Sequence, residues 1–432
     1  MIASSTAVKQ QRHVQIFGAA IALRLVLFSI APGILDVLAH RAEIATPLNA
    51  RNRLLEGLFL YQRGLDPYDG GICHQAPLLL SLLSFLPASG SLLGRLTTAV
   101  LYTFLDVFTA YNLSLIAQSG AAVVSSTFSS PRKERQWQPI SIAAIFLFNP
   151  FTLLSSLART TTPFTTLFTL LSIRYACEAD VTGTAFALAT ASYLSLHPLL
   201  LLPAAGLLCY DQMSKESTKP TAKQFTASFG ASFATFLALL LALSRLLLPS
   251  WQFLSSVYLT PLTVPDLTPN PGLWWYFFIE MFDAFRSFFL GVFWLHMLAY
   301  SVPLCLRMRK LPLAAAVGMI GIIAVFQPYA NVGDAGTWLA GLSLFGHLLE
   351  VSSAHRYTFP AMATLLYAAL LGPAFHYLWI YAGSGNANFF YAITLVWSLA
   401  LLVLLADFVY AVLRDQWEAE RPEGLGKEVR QI

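Results

Sequence analysis

Two carboxylates inside a hydrophobic stretch are the most unusual feature of this sequence. Glu280 and Asp283 stand three residues apart within residues 264–285, VPDLTPNPGLWWYFFIEMFDAF. This spacing predicts that both lie on one helix face, with Glu280 roughly 9 Å along the helix from Trp274. A carboxylate at that depth in a membrane needs a partner. Two interpretations stand equal: a polar site facing a cavity in a helical bundle, or a pair that reaches the membrane interface or a neighbouring subunit's cation.

A second group of polar residues lies in residues 379–390, WIYAGSGNANFF. Its two glycines permit a tight backbone path. Ser384, Asn386 and Asn388 offer neutral donors and acceptors that suit sugar hydroxyls or phosphate oxygens. A short turn between two helices also needs small polar residues, so the pattern alone favours neither a binding site nor a turn.

Charged residues elsewhere in the hydrophobic segments are further candidates. Arg159 follows a predicted helix break and is the best candidate ligand for a lipid phosphate, because a guanidinium binds phosphate through two parallel hydrogen bonds. Arg24 and Asp106 are better explained as a structural pair inside a bundle.

Metal chemistry has no support in the sequence. His197 and His355 are better explained by packing or by the membrane interface, since no second ligand stands at a useful spacing. The cysteines show neither a disulfide framework nor a metal-ligand spacing; they are scattered at Cys73, Cys177, Cys209 and Cys305. We therefore expect no metal site, no cofactor and free cysteines.

The composition is that of a polytopic membrane protein. Of 432 residues, 56% are hydrophobic and 11% are charged, whereas about a quarter are charged in soluble domains. The mean hydropathy is +0.63. No polar interval reaches the roughly 100 residues that a soluble domain typically needs, so we expect residues 1–432 to form one all-α integral membrane domain. The net charge of +4 comes from short basic groups beside hydrophobic segments, which argues against binding nucleic acid.

Hydropathy predicts a bundle of about twelve transmembrane helices. The first, residues 14–31, is too long for the core of a signal peptide. The other segments are residues 92–118, 139–157, 163–178, 182–210 as a broken pair, 224–248, 274–305, 311–328, 335–350, 357–380 and 389–413. The pair breaks at His197-Pro198, and its half-helices must pack inside the bundle, where freed backbone groups find partners.

The predicted helices place polar loops between them. The first loop, residues 32–91, is expected to carry an amphipathic helix at 47–64 and a short apolar helix at 76–86. After a proline-rich stretch that excludes helix, Trp274, Trp275 and Tyr276 are expected to form an aromatic belt at the lipid headgroups.

Charge placement predicts the orientation in the membrane. Alternate loops carry the basic residues, which favours a cytosolic location for them and for both tails, residues 1–13 and 414–432. These basic residues are Arg132, Lys133, Arg135, Lys215, Lys219, Lys223, Arg307, Arg309, Lys310, Arg356 and Arg414. The first loop and the loops around residues 264 and 384 are then luminal.

Several long, irregular segments resemble the PIG-U family, the polytopic subunit of the glycosylphosphatidylinositol (GPI) transamidase. They are GLWWYFFIEMF from Gly272, QPYANVGD from Gln327, HYLWIYAGSGNANFFYAITL from His376 and FNPFTLLSSLAR from Phe148. The similarity runs from about residue 41 to residue 414.

The resemblance implies a place in the endoplasmic reticulum membrane, within a complex that exchanges a C-terminal signal of a precursor protein for a GPI lipid. A cysteine-protease-like subunit of the PIG-K type performs that chemistry, and the PIG-U family is expected to help bind the lipid. The other implied partners are the PIG-T, PIG-S and GPAA-type GPI-attachment subunits.

The family is also similar to the multi-span mannosyltransferases of GPI synthesis, which have a GT-C fold. Their frame is visible in the first loop as Glu56-Gly57, Asp66-Pro67-Tyr68 and Pro77-Leu78-Leu79. Where the paired catalytic aspartates belong, residues 41–47 read RAEIATP and hold a single carboxylate, Glu43. The resemblance therefore implies a transferase-like scaffold that keeps a place for a glycolipid without the reaction.

The leading hypothesis is a non-catalytic subunit that binds the GPI lipid and scaffolds the complex, with no catalytic residue. The residues expected to contact the lipid or its head group are Tyr381, Ser384, Asn386, Asn388, Glu280, Asp283, Arg159 and His197. The alternative is an active lipid-linked glycosyltransferase that uses Glu43, or Asp66 and Asp69, as acid or base. A secondary transporter is a third possibility, but the two halves show no inverted repeat.

Overall fold

The fold is described here from a computed structural model that covers residues 2–30, 32–88, 90–213, 220–353, 357–424 and 427. Within those residues the extended pairing is limited to an isolated antiparallel bridge between Val124 and Ser129. The expected all-α fold class is confirmed. Among the residues singled out from the sequence, four lie outside the described ranges: Lys215, Lys219, His355 and Arg356.

The described helices vary widely in length. In chain order they are α1 (Ile2–Ile30), α2 (Pro32–Ala39), α3 (Arg51–Gln62), α4 (Pro77–Ser84), α5 (Leu92–Gln118), α6 (Pro139–Phe148), α7 (Pro150–Leu157), α8 (Thr162–Cys177), α9 (Val181–Leu194), α10 (Leu202–Gln212), α11 (Ala222–Leu247), α12 (Gln252–Leu254), α13 (Thr260–Thr263), α14 (Trp274–Ile279), α15 (Asp283–Arg307), α16 (Pro312–Phe326), α17 (Val332–Leu342), α18 (Leu349–Ser353), α19 (Thr358–Ile380) and α20 (Ala387–Glu420).

Capping residues and prolines explain where many helices begin. The side chain of Ser91 accepts a hydrogen bond from the first turn of α5, and Asp180 does the same for α9. Proline is the first residue of α6, α7 and α16, where its missing N–H has no partner to lose. Pro150 also bends the chain, so that α6 and α7 meet at 52°.

The structure confirms a multi-pass membrane protein. Within the described residues, six helices are long and apolar enough to cross a membrane: residues Gln11–Ile30 of α1, then α5, α11, α15, α19 and α20. The bent pair of α6 and α7 makes a seventh if it counts as one span. The remaining predicted segments form shorter helices, such as α16, which is buried along almost its whole length. The total of about twelve crossings stays a prediction.

The irregular parts of the bundle lie where the sequence predicted them. Helices α3 and α4 lie within the two segments predicted for the first loop, and the break at His197-Pro198 is a 3₁₀ turn, His197–Leu201, between α9 and α10. The proline-rich stretch before α14 is non-helical, as expected.

Loops predicted to share one side of the membrane do gather at one end of the bundle. There, Arg53 pairs with Asp266 at 2.5 Å, and the Val332 N–H donates to the Glu43 carbonyl at 3.0 Å. We call this end, formed by residues 36–75, 250–278, 327–334 and 376–391, the first-loop face. Arg132, from one of the basic loops, pairs instead with Asp415 and Glu418 near the C-terminal end of α20.

The segment predicted as one helix over residues 274–305 is two helices. Helix α14 ends before Glu280, the backbone is extended at Phe282, and α15 begins at Asp283. The prediction that Glu280 and Asp283 share one face is therefore wrong, because that spacing aligns side chains only within a continuous helix. Both residues are exposed, and Asp283 lies at the positive end of the α15 dipole.

The predicted pairing of Arg24 with Asp106 is confirmed. The Arg24 side chain is fully buried, its Nε lies 2.7 Å from Asp106 Oδ2, and its Nη2 donates to the Leu147 carbonyl at 2.9 Å. The Ser156 hydroxyl donates to the other carboxylate oxygen at 2.7 Å. This network joins α1, α5, α6 and α7 inside the bundle.

Candidate functional site

An apolar cavity of about 230 Å³ opens beneath the first-loop face, between α2, α7, α19 and α20. Aliphatic and aromatic side chains form most of its wall, among them Val37, Leu154, Ala368, Phe390, Ile393 and Trp397. Small residues on α19, including Gly372, leave the space open. An apolar cavity of this kind accepts a hydrocarbon chain more readily than a polar ligand.

The charged residues in the wall of this apolar cavity are Arg41 and Glu43. They form a two-pronged ion pair, with Arg41 Nε 3.1 Å from Glu43 Oε2 and Arg41 Nη2 3.0 Å from Glu43 Oε1. Both side chains are largely buried. The guanidinium therefore holds the carboxylate that the sequence offered as an acid or base, and the cavity keeps one polar edge in an apolar wall.

The two stretches singled out in the sequence meet beside this cavity. The Trp275 ring lies 6.1 Å from Trp379 and 6.0 Å from Phe390 between centroids. Tyr276 stacks on Tyr391 at 4.6 Å, and its hydroxyl donates to the Asn388 side chain. Phe390 belongs to both the aromatic cluster and the cavity wall.

The predicted aromatic belt is not lipid-facing at two of its three positions. Trp274 and Trp275 are each 1% exposed, and the Trp274 indole donates to the Phe326 carbonyl at 2.7 Å. Tyr276 is partly exposed. The two indoles are enclosed because α14 packs against α15, α16 and the start of α20, so they hold helices together and do not anchor the chain at the lipid headgroups.

The glycine-rich turn between α19 and α20 combines a structural role with exposed polar groups. The N–H groups of Ser384 and Gly385 both donate to the Leu378 carbonyl, at 3.0 and 3.1 Å. The Asn386 side chain accepts from the Phe389 N–H at 3.3 Å and so caps α20. Ser384, Asn386 and the neighbouring Tyr381 nevertheless remain exposed.

Arg159 lies in a separate charged cluster. It adopts a left-handed backbone conformation with φ of 58°, and its Nη2 lies 2.5 Å from Asp36 on α2. The Tyr102 hydroxyl donates to the Arg159 carbonyl at 2.7 Å. Arg51 is close by: burial, and then the charge of Arg159, lower the pKa of Arg51 to about 10. Asp36 therefore compensates part of the charge of Arg159 and Arg51, and the sequence did not predict that Arg51 lies beside Arg159.

His197 lies in a polar chamber on the other side of the first loop. The chamber has two compartments of about 60 Å³ each, with Thr165, Ser195, His197, Gln327 and Asp334 lining both. His197 is 2% exposed, and neither ring nitrogen has a hydrogen-bond partner among the described residues. Its ring stacks on Trp294 at 5.6 Å.

Asp334 is the carboxylate of the polar chamber. Its Oδ2 accepts from the Asn331 side chain at 2.6 Å and from the Gln327 side chain, and it caps α17 reciprocally with Asn331. Burial raises the pKa of Asp334 to about 7. Its segment, QPYANVGD, is conspicuous in the sequence, but the chain alone does not show that Asp334 faces Thr165 and Ser195.

One wall separates the apolar cavity from the polar chamber. Arg41, Glu43 and Ile44 line the cavity, whereas Thr46 and Asn49 line the chamber. A second segment, residues 327–334, likewise contributes to both linings. We call residues 41–49 and 327–334 the dividing wall.

The described residues include no group of three or more His, Cys, Asp or Glu side chains placed to hold a metal ion. The cysteines Cys73, Cys177, Cys209 and Cys305 are free and buried. Burial raises the pKa of the Cys73 thiol to about 11, which leaves it unreactive at neutral pH.

Fold and cavity together define a class of protein, a multi-pass helical membrane protein with an apolar cavity inside its bundle. A family model described as GPI transamidase subunit PIG-U matches residues 18–397. The chain belongs to the PIG-U family, as its motifs indicated.

Curated relatives agree along most of the chain. It is 34% identical to the GPI-anchor transamidase component PIGU of Cricetulus griseus and 33% identical to that of Homo sapiens, each over 92% of this chain and 93% of the relative. It is 33% identical to the GPI transamidase component GAB1 of Saccharomyces cerevisiae, over 92% of this chain and 94% of the relative.

Proposed function

We propose that this chain is a non-catalytic subunit of a GPI transamidase, which binds the GPI lipid and scaffolds the complex. Family membership supports the assignment to the complex, since the relatives are named as its components. The apolar cavity carries the assignment of lipid binding. Its hydrocarbon wall with one ion pair at the edge matches an amphiphile whose acyl chain enters the bundle and whose head group stays outside.

The head group would lie against the first-loop face. Arg41 has a planar fork that can exchange Glu43 for a lipid phosphate. Beside the cavity, the exposed side chains of Tyr381, Ser384, Asn386 and Asn388 supply hydrogen-bonding groups for sugar hydroxyls.

The other residues predicted from the sequence take different places in the proposal. Glu280 and Asp283 are exposed beside the break between α14 and α15, where they are available to an amine or to a partner's cation. Arg159 and its neighbour Arg51 are a second candidate contact for phosphate. His197 lies in the polar chamber, apart from the acyl-chain site.

Two of the three carboxylates that a transferase reaction could use, Glu43 and Asp66, are held by other groups of the chain. Glu43 is held by Arg41, while Asp66 accepts from the Tyr68 N–H at 2.9 Å and from the Ser250 hydroxyl at 2.8 Å. These contacts support a non-catalytic role, because a general base needs a free position facing substrate.

The proposed partners are the cysteine-protease-like PIG-K-type subunit and the PIG-T, PIG-S and GPAA-type subunits. In this proposal the complex lies in the endoplasmic reticulum membrane, the first-loop face is luminal and both termini are cytosolic. Affinity purification in mild detergent tests it: stoichiometric recovery of these subunits supports the assignment, and recovery of the chain alone with a polyprenyl-phosphate sugar bound would favour a transferase.

Filling the cavity tests lipid binding directly. A Cβ built at Gly372 meets only Ile393 Cγ2, at 3.6 Å, so Gly372→Leu enters the cavity without displacing backbone. Leucine also favours a helix by about 0.8 kcal/mol over glycine. We expect the complex to assemble and GPI transfer to a reporter protein in cells to fall.

Ala374→Leu is the matched control, because Ala374 is exposed on the same helix and does not line the cavity. Full GPI transfer by the assembled Gly372→Leu complex would refute the acyl-chain site. The polar turn is tested separately by replacing Asn386 and Asn388 with alanine, which should lower GPI transfer while the complex assembles. Loss of assembly instead would assign the two asparagines to the turn alone.

A further inference from the structure

The polar chamber has the dimensions of a small-ligand site. Each compartment has a volume of about 60 Å³, and a buried water needs about 10–15 Å³ on this measure. Each therefore holds about four waters or a ligand fragment of similar size. The two compartments share five lining residues, so they adjoin around His197 and Asp334.

Unused hydrogen-bonding groups converge on this space. His197 offers two unpartnered ring nitrogens although it is 98% buried, being 2% exposed. The hydroxyls of Thr165 and Ser195, which are partly buried, line both compartments beside it. Buried polar groups are normally satisfied, so the two His197 nitrogens indicate a partner from outside the chain, and the two hydroxyls are placed to contact the same partner.

The charges and hydrogen-bonding groups of the polar chamber indicate what kind of ligand it binds. In the part of the chain that the structure describes, no Lys or Arg lines either compartment, which disfavours phosphate and carboxylate ligands. Asp334 already accepts two side-chain hydrogen bonds. A neutral imidazole has one donor and one acceptor, and each hydroxyl can do either. Such a set complements a neutral ligand that alternates donors and acceptors around a small ring.

The orientation of His197 is set by packing. Its ring stacks on Trp294 with an interplanar angle of 13°, and the Trp294 indole donates to the Leu262 carbonyl at 3.1 Å. The imidazole nitrogens are thus held in place before any ligand enters, which lowers the entropy lost on binding.

We propose that the polar chamber around Thr165, Ser195, His197 and Asp334 is a binding site for a neutral monosaccharide unit. The site is distinct from the acyl-chain cavity across the dividing wall. It does not depend on lipid binding, because a free sugar derivative suffices to test it.

The experiment is equilibrium binding of tritiated methyl α-D-mannoside and methyl α-D-glucoside to the purified complex that contains this chain. At least one of these probes should bind saturably. The double variant Thr165→Val with Ser195→Ala removes both hydroxyls with little change in volume, and it should weaken that binding at least tenfold. Thr226→Val is the matched control, because Thr226 is exposed on α11 and its hydroxyl bonds only within its own helix.

A second measurement uses Trp294, whose indole stacks on the His197 ring, as a fluorescent reporter. Sugar binding should change the tryptophan fluorescence of the complex, and Trp294→Phe should abolish that change. If the double variant does not assemble, this fluorescence change alone tests whether the sugar binds beside His197. Absence of saturable sugar binding, binding unaffected by the variants, or displacement of the sugar by inorganic phosphate would each overturn the proposal.

Discussion

Breaking the buried pair of Arg24 and Asp106 is the sharpest test of how the bundle is held together. In Arg24→Met the Asp106 carboxylate, 3% exposed in its side chain, loses its cation and keeps only the Ser156 hydroxyl. Leaving one partner of a buried pair uncompensated costs about 3–5 kcal/mol. The carbonyl of Leu147 also loses its donor, which adds about 1 kcal/mol.

Together these changes cost about 4–6 kcal/mol, which lowers the folding equilibrium constant by a factor of about 10³–10⁴. We expect Arg24→Met to reduce the amount of folded chain in membranes and its melting temperature, measured by fluorescence-detected size-exclusion chromatography after heating. The double variant Arg24→Met with Asp106→Leu should recover most of that loss, because no charge remains buried alone. Wild-type stability of Arg24→Met, or a double variant no better than the single one, would refute this account.

Three further predictions follow from the charged and capping residues. Because burial raises the pKa of Asp334 to about 7, its protonated form is favoured in the fold; stability should fall by on the order of 1.4 kcal/mol per unit as pH rises from 5 to 7 and level off above. Melting temperatures should show this slope, and Asp334→Asn should flatten it. Arg132→Ala should lower the melting temperature, since Arg132 bonds two buried carboxylates of α20, whereas Arg135→Ala, at an exposed pair, should not; equal effects would contradict this reasoning. Asn386→Ala should cost about 1 kcal/mol as a lost cap, which Asn386→Ser should restore.

The fold class was predictable because hydropathy and charge placement are local properties of the chain. Prolines marked the bend before α7 and the turn at His197, and the opposite charges of Arg24 and Asp106 inside hydrophobic segments indicated a structural pair. These features depend on residue type alone, so a single sequence reveals them.

The site was less predictable because it depends on contacts between distant segments. The break at residues 280–282 contains no proline or glycine, so IEMFDAF reads as continuous helix. Asp36 was overlooked as the partner of Arg159, from which it is separated by 123 positions. The aromatic residues at 274 and 275 have the composition of an interfacial belt, and only the packing of α14 shows that they are enclosed.

The dividing wall has a thermodynamic consequence for the apolar cavity and the polar chamber that it separates. Because residues 41–49 and 327–334 are joined by the hydrogen bond from Val332 to Glu43, a ligand that displaces the wall from one side alters the volume available on the other. Thermodynamic linkage then makes the effect reciprocal. If a ligand bound in the apolar cavity changes the binding constant of a ligand in the polar chamber by some factor, the ligand in the chamber changes the binding constant of the ligand in the cavity by the same factor.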